Sequence, residues 1–190
     1  MTDFSHALAL PPFPWPPESA LNAYSAERAE AIRQAIAELK MVVFDFDGVF
    51  TDNAVWVTQE GVELVRASRF EGFGLVRLQK RGIELMVLST EVNPVVSARC
   101  DKLKLDRKQG VHDKLPALCE IVEGKGLTLA QVGYLGNDTN DIQCLQNVGF
   151  PMTVGDAHPA VIDLGLYRTV RPGGYGAVRE VCDLIDKLKG

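Results

Sequence analysis

From Met41 onward, short apolar segments alternate with segments of helical periodicity, and this alternation is the feature that most constrains the fold. Four apolar segments have the length and composition of buried strands, and they cover residues 41–46, 84–88, 132–135 and 150–154. Helical patterns cover residues 73–80, 93–103, 113–124, 139–147 and 176–188. Strands that alternate with helices in this way form parallel sheets. The sequence therefore predicts an α/β fold, a Rossmann-like doubly wound parallel sheet flanked by helices.

One segment, residues 54–67, interrupts the alternation. Two stretches rich in apolar residues, 55–57 and 62–65, flank the turn sequence Thr58-Gln-Glu-Gly61. This pattern predicts a β-hairpin flap directly after the first strand. No segment between the predicted strands is long enough to form a large cap domain.

The segment before the first strand is expected to form an arm and a helix. The proline-rich run Leu10–Pro17 cannot continue a helix or a central strand, so we predict an extended arm. We expect Phe13 and Trp15 to pack on the domain, and simple disorder or a proline-ligand role are the alternatives. Ser25 is expected to cap a helix that ends near Leu39. The predicted division is an N-terminal arm and helix, residues 1–40, and one α/β domain, residues 41–190.

Composition excludes several classes of function. The chain has 190 residues, a formal net charge of -5 and a sequence pI near 5.2. It has no basic patch suited to nucleic acid and no apolar stretch near the roughly 20 residues that span a bilayer. Met1–His6 has no positively charged segment typical of a secretion signal. The four cysteines are far apart and three histidines are scattered, so we expect a soluble protein in the reducing cytoplasm and no zinc site.

Two carboxylates, Asp45 and Asp47, follow the first apolar segment. Ligands of open α/β sheets bind beyond the carboxyl ends of the strands, so these residues are candidates for catalysis. Residues spaced i, i+2 on an extended backbone share a face, and Gly48 permits a sharp turn after them. One carboxylate can attack phosphorus while the other transfers a proton to the leaving group. The alternative interpretation is an ordinary acidic turn after a strand.

Residues suited to phosphate chemistry also follow the later strands. Ser89 comes after the second strand and can donate a hydrogen bond to a phosphoryl oxygen, although a serine there is also a common helix cap. Lys114 begins a helix, where a cation opposes the helix dipole, and an exposed lysine is the alternative. The sequence Gly136-Asn-Asp-Thr-Asn-Asp141 supplies a cluster of oxygen ligands, although Asp141 could simply satisfy the helix dipole. Together with Asp45 and Asp47, this cluster predicts a Mg²⁺ site.

The order and spacing of these four motifs resemble those of the haloacid dehalogenase superfamily of phosphotransferases. Without a large cap, the chain resembles the small subclass that dephosphorylates sugar acids, such as octulosonate 8-phosphate and nonulosonate 9-phosphate, and a related domain that follows sialic acid cytidylyltransferases. The segments 156–159 and 173–180 match this subclass too. The resemblance implies that the hairpin builds a homotetramer and covers the active site of the neighbouring subunit.

The resemblance also implies roles for the motif residues. Asp45 would be the nucleophile that forms an aspartyl phosphate, and Asp47 would be the general acid and base. Ser89 and Lys114 would stabilise the transferring phosphoryl oxygens. Magnesium would bind between Asp45, the carbonyl of Asp47 and the pair Asn137 and Asp138. These phosphatases usually have Gly-Asp-Asp where this chain has Gly-Asn-Asp, so the metal site is expected to be weaker or to depend on Asp138.

Four further residues, Thr90, Glu91, Lys102 and Arg179, are candidates to bind the substrate. Octulosonate phosphatases tend to have Gly-Arg where this chain has Thr90-Glu91, and the pair Glu91 and Lys102 resembles the nonulosonate phosphatases. The alternatives are a pre-helix acid for Glu91 and a solvated helix residue for Lys102. The octulosonate phosphatases also have an Arg-Asp-Gly pattern near the active site, and this chain has Phe70-Glu71-Gly72 there, so it lacks that cation. Arg179 is a further candidate to bind an anionic substrate. We therefore expect a nine-carbon sugar-acid phosphate as substrate.

Two other functions are alternatives to hydrolysis. A non-catalytic oligomerisation module beside a cytidylyltransferase would be expected to lose motif residues, whereas Asp45, Asp47, Ser89 and Lys114 are all present. A phosphomutase or phosphotransferase would need a cap to exclude water, and this chain has none. The sequence therefore favours a Mg²⁺-dependent phosphatase acting on a small-molecule sugar-acid phosphate.

Overall fold

The computed structural model describes residues 10–190 and has a six-stranded parallel sheet at its centre. The sheet order is β5-β4-β1-β6-β7-β8, so the chain winds outward from β1 in both directions. The strands of this sheet are β1 (Met41–Phe44), β4 (Glu84–Leu88), β5 (Asp106–Lys108), β6 (Val132–Gly136), β7 (Phe150–Thr153) and β8 (Tyr167–Arg168). The predicted doubly wound α/β fold is confirmed.

Seven α-helices, counted over residues 10–190, connect and flank these strands. They are α1 (Ala26–Glu38), α2 (Glu71–Lys80), α3 (Pro94–Leu103), α4 (Lys114–Gly124), α5 (Ile142–Asn147), α6 (Pro159–Ile162) and α7 (Ala177–Leu188). Short 3₁₀ helices cover Pro17–Ala23, Leu129–Gln131 and Thr139–Asp141. Ser25 caps α1 as predicted, because its side chain accepts a hydrogen bond from the Arg28 amide at 3.2 Å.

Burial follows from the position of each strand in the sheet. All four residues of β1 are fully buried, since β1 is paired with β4 on one side and β6 on the other. The core extends over both faces of the sheet, and Ile32 and Ile36 of α1 belong to it. The division of the chain at residue 40 stays a prediction, but α1 shares the core of the α/β domain.

The predicted hairpin forms from β2 (Thr51–Val57) and β3 (Glu63–Ala67), which pair antiparallel in a separate two-stranded sheet. Several of its apolar side chains are exposed, including Val55, Trp56 and Leu64. The hairpin therefore projects from the domain immediately after the nucleophile candidate.

The two aromatic residues of the arm, Phe13 and Trp15, differ in their packing. Phe13 packs against the ring of Phe70 with the centroids 5.7 Å apart, whereas Trp15 is 80% exposed. Only the Phe13 contact agrees with the expected packing. The prediction made for Met1–His6 lies outside the described residues. Within residues 10–190, no helix has the length and apolar character needed to cross a membrane, and the four cysteines are free thiols.

Candidate active site

The nucleophile candidate, Asp45, lies where β1 ends. Its amide donates to the Leu135 carbonyl of β6 at 3.0 Å, which fixes the residue at the carboxyl edge of the sheet. The side chain is 5% exposed, and its Oδ1 accepts a hydrogen bond from the Phe46 amide at 2.7 Å. Among the described residues, no hydrogen bond engages its Oδ2. One carboxylate oxygen is therefore held in place and the other is available to react.

Lys114 is buried and ion-paired rather than exposed. Its Nζ lies 2.9 Å from Oδ1 of Asp45 and 2.7 Å from Oδ1 of Asp141. Burial alone would lower the pKa of Lys114, but the two carboxylates outweigh it and raise the pKa above its usual value. A permanent cation therefore lies directly beside the nucleophile candidate. The alternative interpretation of Lys114 as a solvated surface residue is wrong.

Asp141 holds Lys114 and the loop after β6 together. Its Oδ1 also accepts a hydrogen bond from the Tyr134 hydroxyl at 2.7 Å, and its Oδ2 accepts from the amides of Asn137 and Asp138 at 2.9 and 3.3 Å. The carboxylate is fully buried, and its charge is matched by Lys114 and these donors. Its role therefore exceeds the dipole stabilisation expected from the sequence.

Asp45 experiences opposing electrostatic effects. Burial and the neighbouring Asp141 raise the pKa of Asp45, whereas the ammonium group of Lys114 opposes this shift. Lys114 therefore favours the ionised, nucleophilic form of the carboxylate in a buried place where it would otherwise be disfavoured.

Asp47 is half-buried and lies on the tight loop that follows Asp45. Thr51 organises this loop, because its Oγ1 accepts a hydrogen bond from the Gly48 amide at 3.1 Å and donates to Oδ1 of Asp47 at 3.4 Å. Burial, followed by the negative charge of Glu91, raises the pKa of Asp47. A raised pKa favours the protonated form that a general acid needs.

Ser89 and its neighbours line the next strand end. Ser89 is buried, and its Oγ accepts a hydrogen bond from the Glu91 amide at 3.1 Å. The Glu91 carboxylate accepts from the amides of Val92 and Asn93 at 2.7 and 2.8 Å, so it stabilises its own loop. This arrangement agrees with the alternative interpretation of Glu91 as a pre-helix acid, although it leaves Oε2 without a contact in this loop.

The metal candidates, Asn137 and Asp138, differ in their surroundings. Asn137 is 7% exposed, and its Oδ1 is buried without a hydrogen-bond partner among the described residues. A Cβ at Gly48, which has a φ of 74°, would lie 2.0 Å from Nδ2 of Asn137, so only glycine leaves room for this amide. The Asp138 carboxylate accepts from the Thr139 amide at 2.6 Å and caps the following 3₁₀ turn.

These donors fit a hard divalent cation with few anionic ligands. No group of three or more His, Cys, Asp or Glu side chains within residues 10–190 is arranged to hold a metal alone. The unpaired amide oxygen of Asn137 is nevertheless an acceptor that a cation would satisfy. Magnesium tolerates such sites because it keeps several waters and shares substrate phosphate oxygens.

Two adjoining cavities open over these residues. We call the first the phosphoryl cavity; it has a volume of about 270 Å³ and is lined by Asp45, Asp47, Asn53, Thr90, Asn137, Asp138, Thr139 and Asn140. We call the second the acidic cavity; it has a volume of about 210 Å³ and is lined by Asp47, Asn53, Val55, Glu63, Val65, Glu91, Asn93 and Val95. Asp47 lines both cavities and therefore stands where a phosphate and its leaving group would meet.

Two sequence candidates lie elsewhere. Lys102 is exposed in the last turn of α3, and this helix leads away from the carboxyl edge of the sheet. Arg179 is bound to Asp183 through Nε at 2.8 Å and lines a different cavity, of about 420 Å³, beside Trp15 and Arg77. The structure does not bring either residue to the catalytic candidates within one chain, and their binding roles stay predictions.

Glu71 belongs to the segment 70–72, which differs from the Arg-Asp-Gly pattern of the octulosonate phosphatases. It is 1% exposed and lines neither cavity. Its nearest cation is Arg99, at 3.6 Å, and burial raises the pKa of its carboxyl to about 7. The residue is therefore a buried side chain of α2 rather than part of the reacting site.

Sequence reasoning missed several residues of the site. They are Thr51, Asn53, Glu63 and Asn93, and the last three carry no local signal, because each reaches the site from the hairpin or from a loop. Thr51 follows the acidic motif closely, and a hydroxyl four residues after a catalytic carboxylate could have marked it. The side-chain amide of Asn93 donates a hydrogen bond to the Glu63 carboxylate at 3.2 Å, and no short motif encodes this contact between distant segments.

The fold and the site together define a class of enzyme. The site combines a buried aspartate beside a buried lysine, a second carboxylate two residues after the aspartate, and an open polar cavity at the carboxyl edge of a parallel sheet. These are features of a phosphoric monoester hydrolase of the haloacid dehalogenase type. No protein-family model matches the chain. Comparison with individual proteins is more specific.

The chain is 33% identical over 167 residues to the 3-deoxy-D-manno-octulosonate 8-phosphate phosphatase KdsC of Yersinia pestis, covering 85% of this chain and 89% of that protein. The crystal structure of the Moraxella catarrhalis phosphatase of this name, in complex with magnesium, phosphate and a KDO molecule, superposes with a TM-score of 0.80 at 31% identity, covering 83% of this chain and 91% of that one. The cobalt-bound form of the phosphatase from Haemophilus influenzae superposes with a TM-score of 0.77 at 28% identity, covering 83% of this chain and 92% of that one.

This chain belongs to the family of capless haloacid dehalogenase phosphatases that includes these proteins. The predicted family and enzyme class are confirmed. The alternative of a non-catalytic oligomerisation module is not favoured, since the relatives are phosphatases. The structures of family members hold divalent cations, magnesium in one case and cobalt in another.

Proposed function

We propose that this chain hydrolyses the terminal phosphate monoester of a sugar acid, of the octulosonate 8-phosphate or nonulosonate 9-phosphate type, with Mg²⁺ and through an aspartyl phosphate. The observation that carries the proposal is the buried contact of Lys114 with Asp45 beside the phosphoryl cavity. The names of the relatives supply the substrate class.

In the proposed reaction, Oδ2 of Asp45 attacks phosphorus and the bond from phosphorus to the ester oxygen breaks. Asp47 protonates the departing alkoxide and afterwards takes a proton from the water that attacks the aspartyl phosphate. The buried ammonium group of Lys114 would offset negative charge on the phosphoryl oxygens, with Ser89 and Thr90 as hydrogen-bond donors from the end of β4, where Thr90 lines the phosphoryl cavity. This division of roles fits the pKa of Asp47, which burial raises.

The residues that would hold Mg²⁺ are Asp45, the backbone carbonyl of Asp47, and Asn137 with Asp138. Bound magnesium would neutralise phosphate charge and orient the ester for attack. The unpaired Oδ1 of Asn137 supports this residue as the side-chain ligand from the loop after β6, because the Asp138 carboxylate already caps a turn.

The identity of the sugar is the open part of the proposal. The acidic cavity brings Glu63 and Glu91 to the leaving-group side of Asp47, so it suits the hydroxyl groups of a sugar and disfavours a carboxylate at that place. The carboxylate of the substrate would then lie farther from Asp47. The sequence favours a nine-carbon substrate, whereas the curated relatives act on the eight-carbon octulosonate phosphate, so both belong in the test.

The test is phosphate release from octulosonate 8-phosphate, neuraminate 9-phosphate and deaminated nonulosonate 9-phosphate, with Mg²⁺ and with a chelator. We expect turnover of at least one sugar-acid phosphate that the chelator abolishes. Asp45→Asn protein serves as the control for contaminating phosphatases. A wild-type protein that is inert on all three esters would contradict the proposal.

We also propose that the hairpin mediates a homotetramer. Trp56 is 69% exposed and lies among other exposed apolar side chains of β2 and β3, an apolar surface that association would bury. Light scattering should give four subunits for the wild type and fewer for Trp56→Glu. Thr58→Glu, on the same hairpin but in its polar turn, is the matched control. A wild-type monomer at micromolar concentration would contradict this proposal. Cytoplasmic localisation stays a prediction.

A further inference from the structure

The proline-rich arm, residues 10–17, contacts the side chain of Arg171 at two points. The guanidinium of Arg171 lies 4.6 Å from the centroid of the Phe13 ring, and it donates a hydrogen bond to the carbonyl of Pro11. A cation stacked on an aromatic face in a partly desolvated place is a specific contact rather than an incidental one. Arg171 is only 9% exposed because the arm covers it.

The other side of Arg171 holds the glycine-rich loop, residues 172–176. Its Nε and Nη2 donate to the carbonyl of Tyr175 at 2.9 and 2.7 Å, and its own amide donates to Glu180 at 2.9 Å. The Phe13 ring closes the same loop from outside, since a Cβ at Gly176 would lie 2.6 Å from it. Arg171 and Phe13 therefore fix both the path and the position of the glycine-rich loop.

The glycine-rich loop contacts the loop that follows Asp45 and contains Asp47, the proposed general acid. A Cβ at Gly173 would lie 1.8 Å from the carbonyl oxygen of Gly48, so the two backbones are in direct contact. The amide of Gly174 donates to the Val49 carbonyl at 3.0 Å. Gly48 is the residue after Asp47, and its amide is held by Thr51, which also contacts the Asp47 carboxylate.

These contacts form a continuous path from the arm to the general acid. We infer that Phe13 and Arg171 are positioning residues for proton transfer by Asp47: they hold the glycine-rich loop against Gly48 and thereby fix the loop that aims the Asp47 carboxylate. The inference rests on the proposed function. Small displacements of a proton donor are costly in catalysis, so loss of this support should slow the step in which the leaving group is protonated.

Leaving-group dependence distinguishes this role from a general structural one. Phenyl phosphate needs a proton on its leaving group, whereas 2,4-dinitrophenyl phosphate has a leaving group stable enough to depart without one. We expect Phe13→Ala to lower kcat/KM on phenyl phosphate by roughly five- to tenfold and on the dinitrophenyl ester by less than about twofold. Asp47→Asn provides the reference pattern, with a larger loss in the same direction.

Three further variants complete the design. Arg171→Met should show the same selective loss, and Phe13→Leu, which keeps apolar bulk over the guanidinium, should recover part of the activity. Trp15→Ala, at the exposed position two residues along the arm, should match the wild type on both esters. Thermal melting of each variant identifies any that fail to fold, and the Phe13 variants keep the inference testable if Arg171→Met is one of them.

A second measurement does not depend on turnover. Amide hydrogen exchange at Gly48 and Thr51 should be faster in Phe13→Ala than in the wild type, with exchange in β6 unchanged. Equal losses on the two esters, or no loss together with unchanged exchange, would overturn the inference while leaving the proposed function intact. A wild type inactive on every ester would instead remove the proposed function, and this inference with it.

Discussion

The phosphoryl cavity and the acidic cavity are adjacent, yet they are built by different means. Beside the phosphoryl cavity, the charged groups Asp45, Lys114 and Asp141 are 5% exposed or less, and Lys114 pairs with both carboxylates, at 2.9 and 2.7 Å. In the acidic cavity, Glu63 comes from the hairpin and Glu91 from a loop, and the pairing there is with local amides and Asn93. The reacting groups are thus fixed by the core, whereas the groups that face the leaving group depend on peripheral segments.

This difference suggests that chemistry and substrate choice are separable in this molecule. A buried network of matched charges tolerates little change, because removing one member leaves another charge unpaired in a region of low dielectric. A partly solvated cavity tolerates substitution, since water replaces lost contacts. The following predictions test this contrast, beginning with the largest expected effect.

Asp45→Asn should reduce turnover of every phosphate ester by more than about 10³-fold, because an amide cannot serve as the nucleophile. Steady-state phosphate release measures this loss. Asp106→Asn, which removes an exposed carboxylate at the start of β5, is the control and should behave as the wild type. Wild-type rates in Asp45→Asn would remove the nucleophile assignment.

Asp141→Asn should lower kcat by roughly 10²-fold and destabilise the protein by about 1–3 kcal/mol, because Lys114 loses one of its two charge partners in a buried site. Tyr134→Phe removes only one neutral donor to the same carboxylate and should have a much smaller effect on both quantities. Kinetics and urea unfolding of the two variants provide the comparison. If the two variants proved equally active, Asp141 would have only a packing role.

In the acidic cavity, Glu91→Gln should lower kcat/KM for the preferred sugar-acid phosphate by roughly five- to tenfold. For p-nitrophenyl phosphate, kcat/KM should stay within about twofold of the wild-type value. Lys102→Ala is the informative companion, because Lys102 lies in the last turn of α3 and lines neither cavity within one chain. A selective loss in Lys102→Ala would support a site that is shared between subunits of the proposed tetramer. Equal losses on both esters in Glu91→Gln would contradict its role in specificity.

In the phosphoryl cavity, Asn137→Asp should tighten Mg²⁺ binding several-fold, because it adds an anionic ligand where the structure has a neutral oxygen without a hydrogen-bond partner among the described residues. Isothermal titration with Mg²⁺ measures this directly, and the preference among sugars should not change. Asn140→Asp, which adds the same charge at an exposed position lining the cavity, is the matched control. Equal affinity in the Asn137 variant and the wild type would contradict the assigned ligand.

Glu71 tests whether pairing, rather than burial alone, makes a buried charge tolerable. Its pKa of about 7 in the folded protein exceeds the value of 4.5 for an unperturbed glutamate, so the folded state binds more protons and stability falls as pH rises between these values. Glu71→Gln should therefore gain stability relative to the wild type over this window, by on the order of 3 kcal/mol at most.

Urea unfolding of Glu71→Gln and the wild type at pH 4.5, 6 and 8 measures this difference. Glu123→Gln, at an exposed helix position, is the matched control. A stability difference that stays constant from pH 4.5 to 8 would contradict this prediction, because it would show that folding does not raise the pKa of Glu71.

Most regular elements were predictable from the sequence, because buried strands and amphipathic helices leave apolar periods that local inspection detects. The two strands that were missed, β5 and β8, lie at the edges of the sheet. Residues Asp106–Lys108 are charged, and Tyr167–Arg168 is only two residues long. Such strands have no apolar period, and they form because a neighbouring strand offers unpaired backbone groups.

The sequence by itself determined which chemical groups stand at the ends of the central strands, because an apolar strand followed by an acidic turn is a local pattern. Tertiary structure alone decided that Lys114 is a buried partner of Asp45, that Asp141 is an anchor rather than a cap, and that the arm reaches Arg171. These outcomes depend on contacts between residues far apart in the chain. Burial and charge pairing are properties of the packed surroundings, and no local segment contains them.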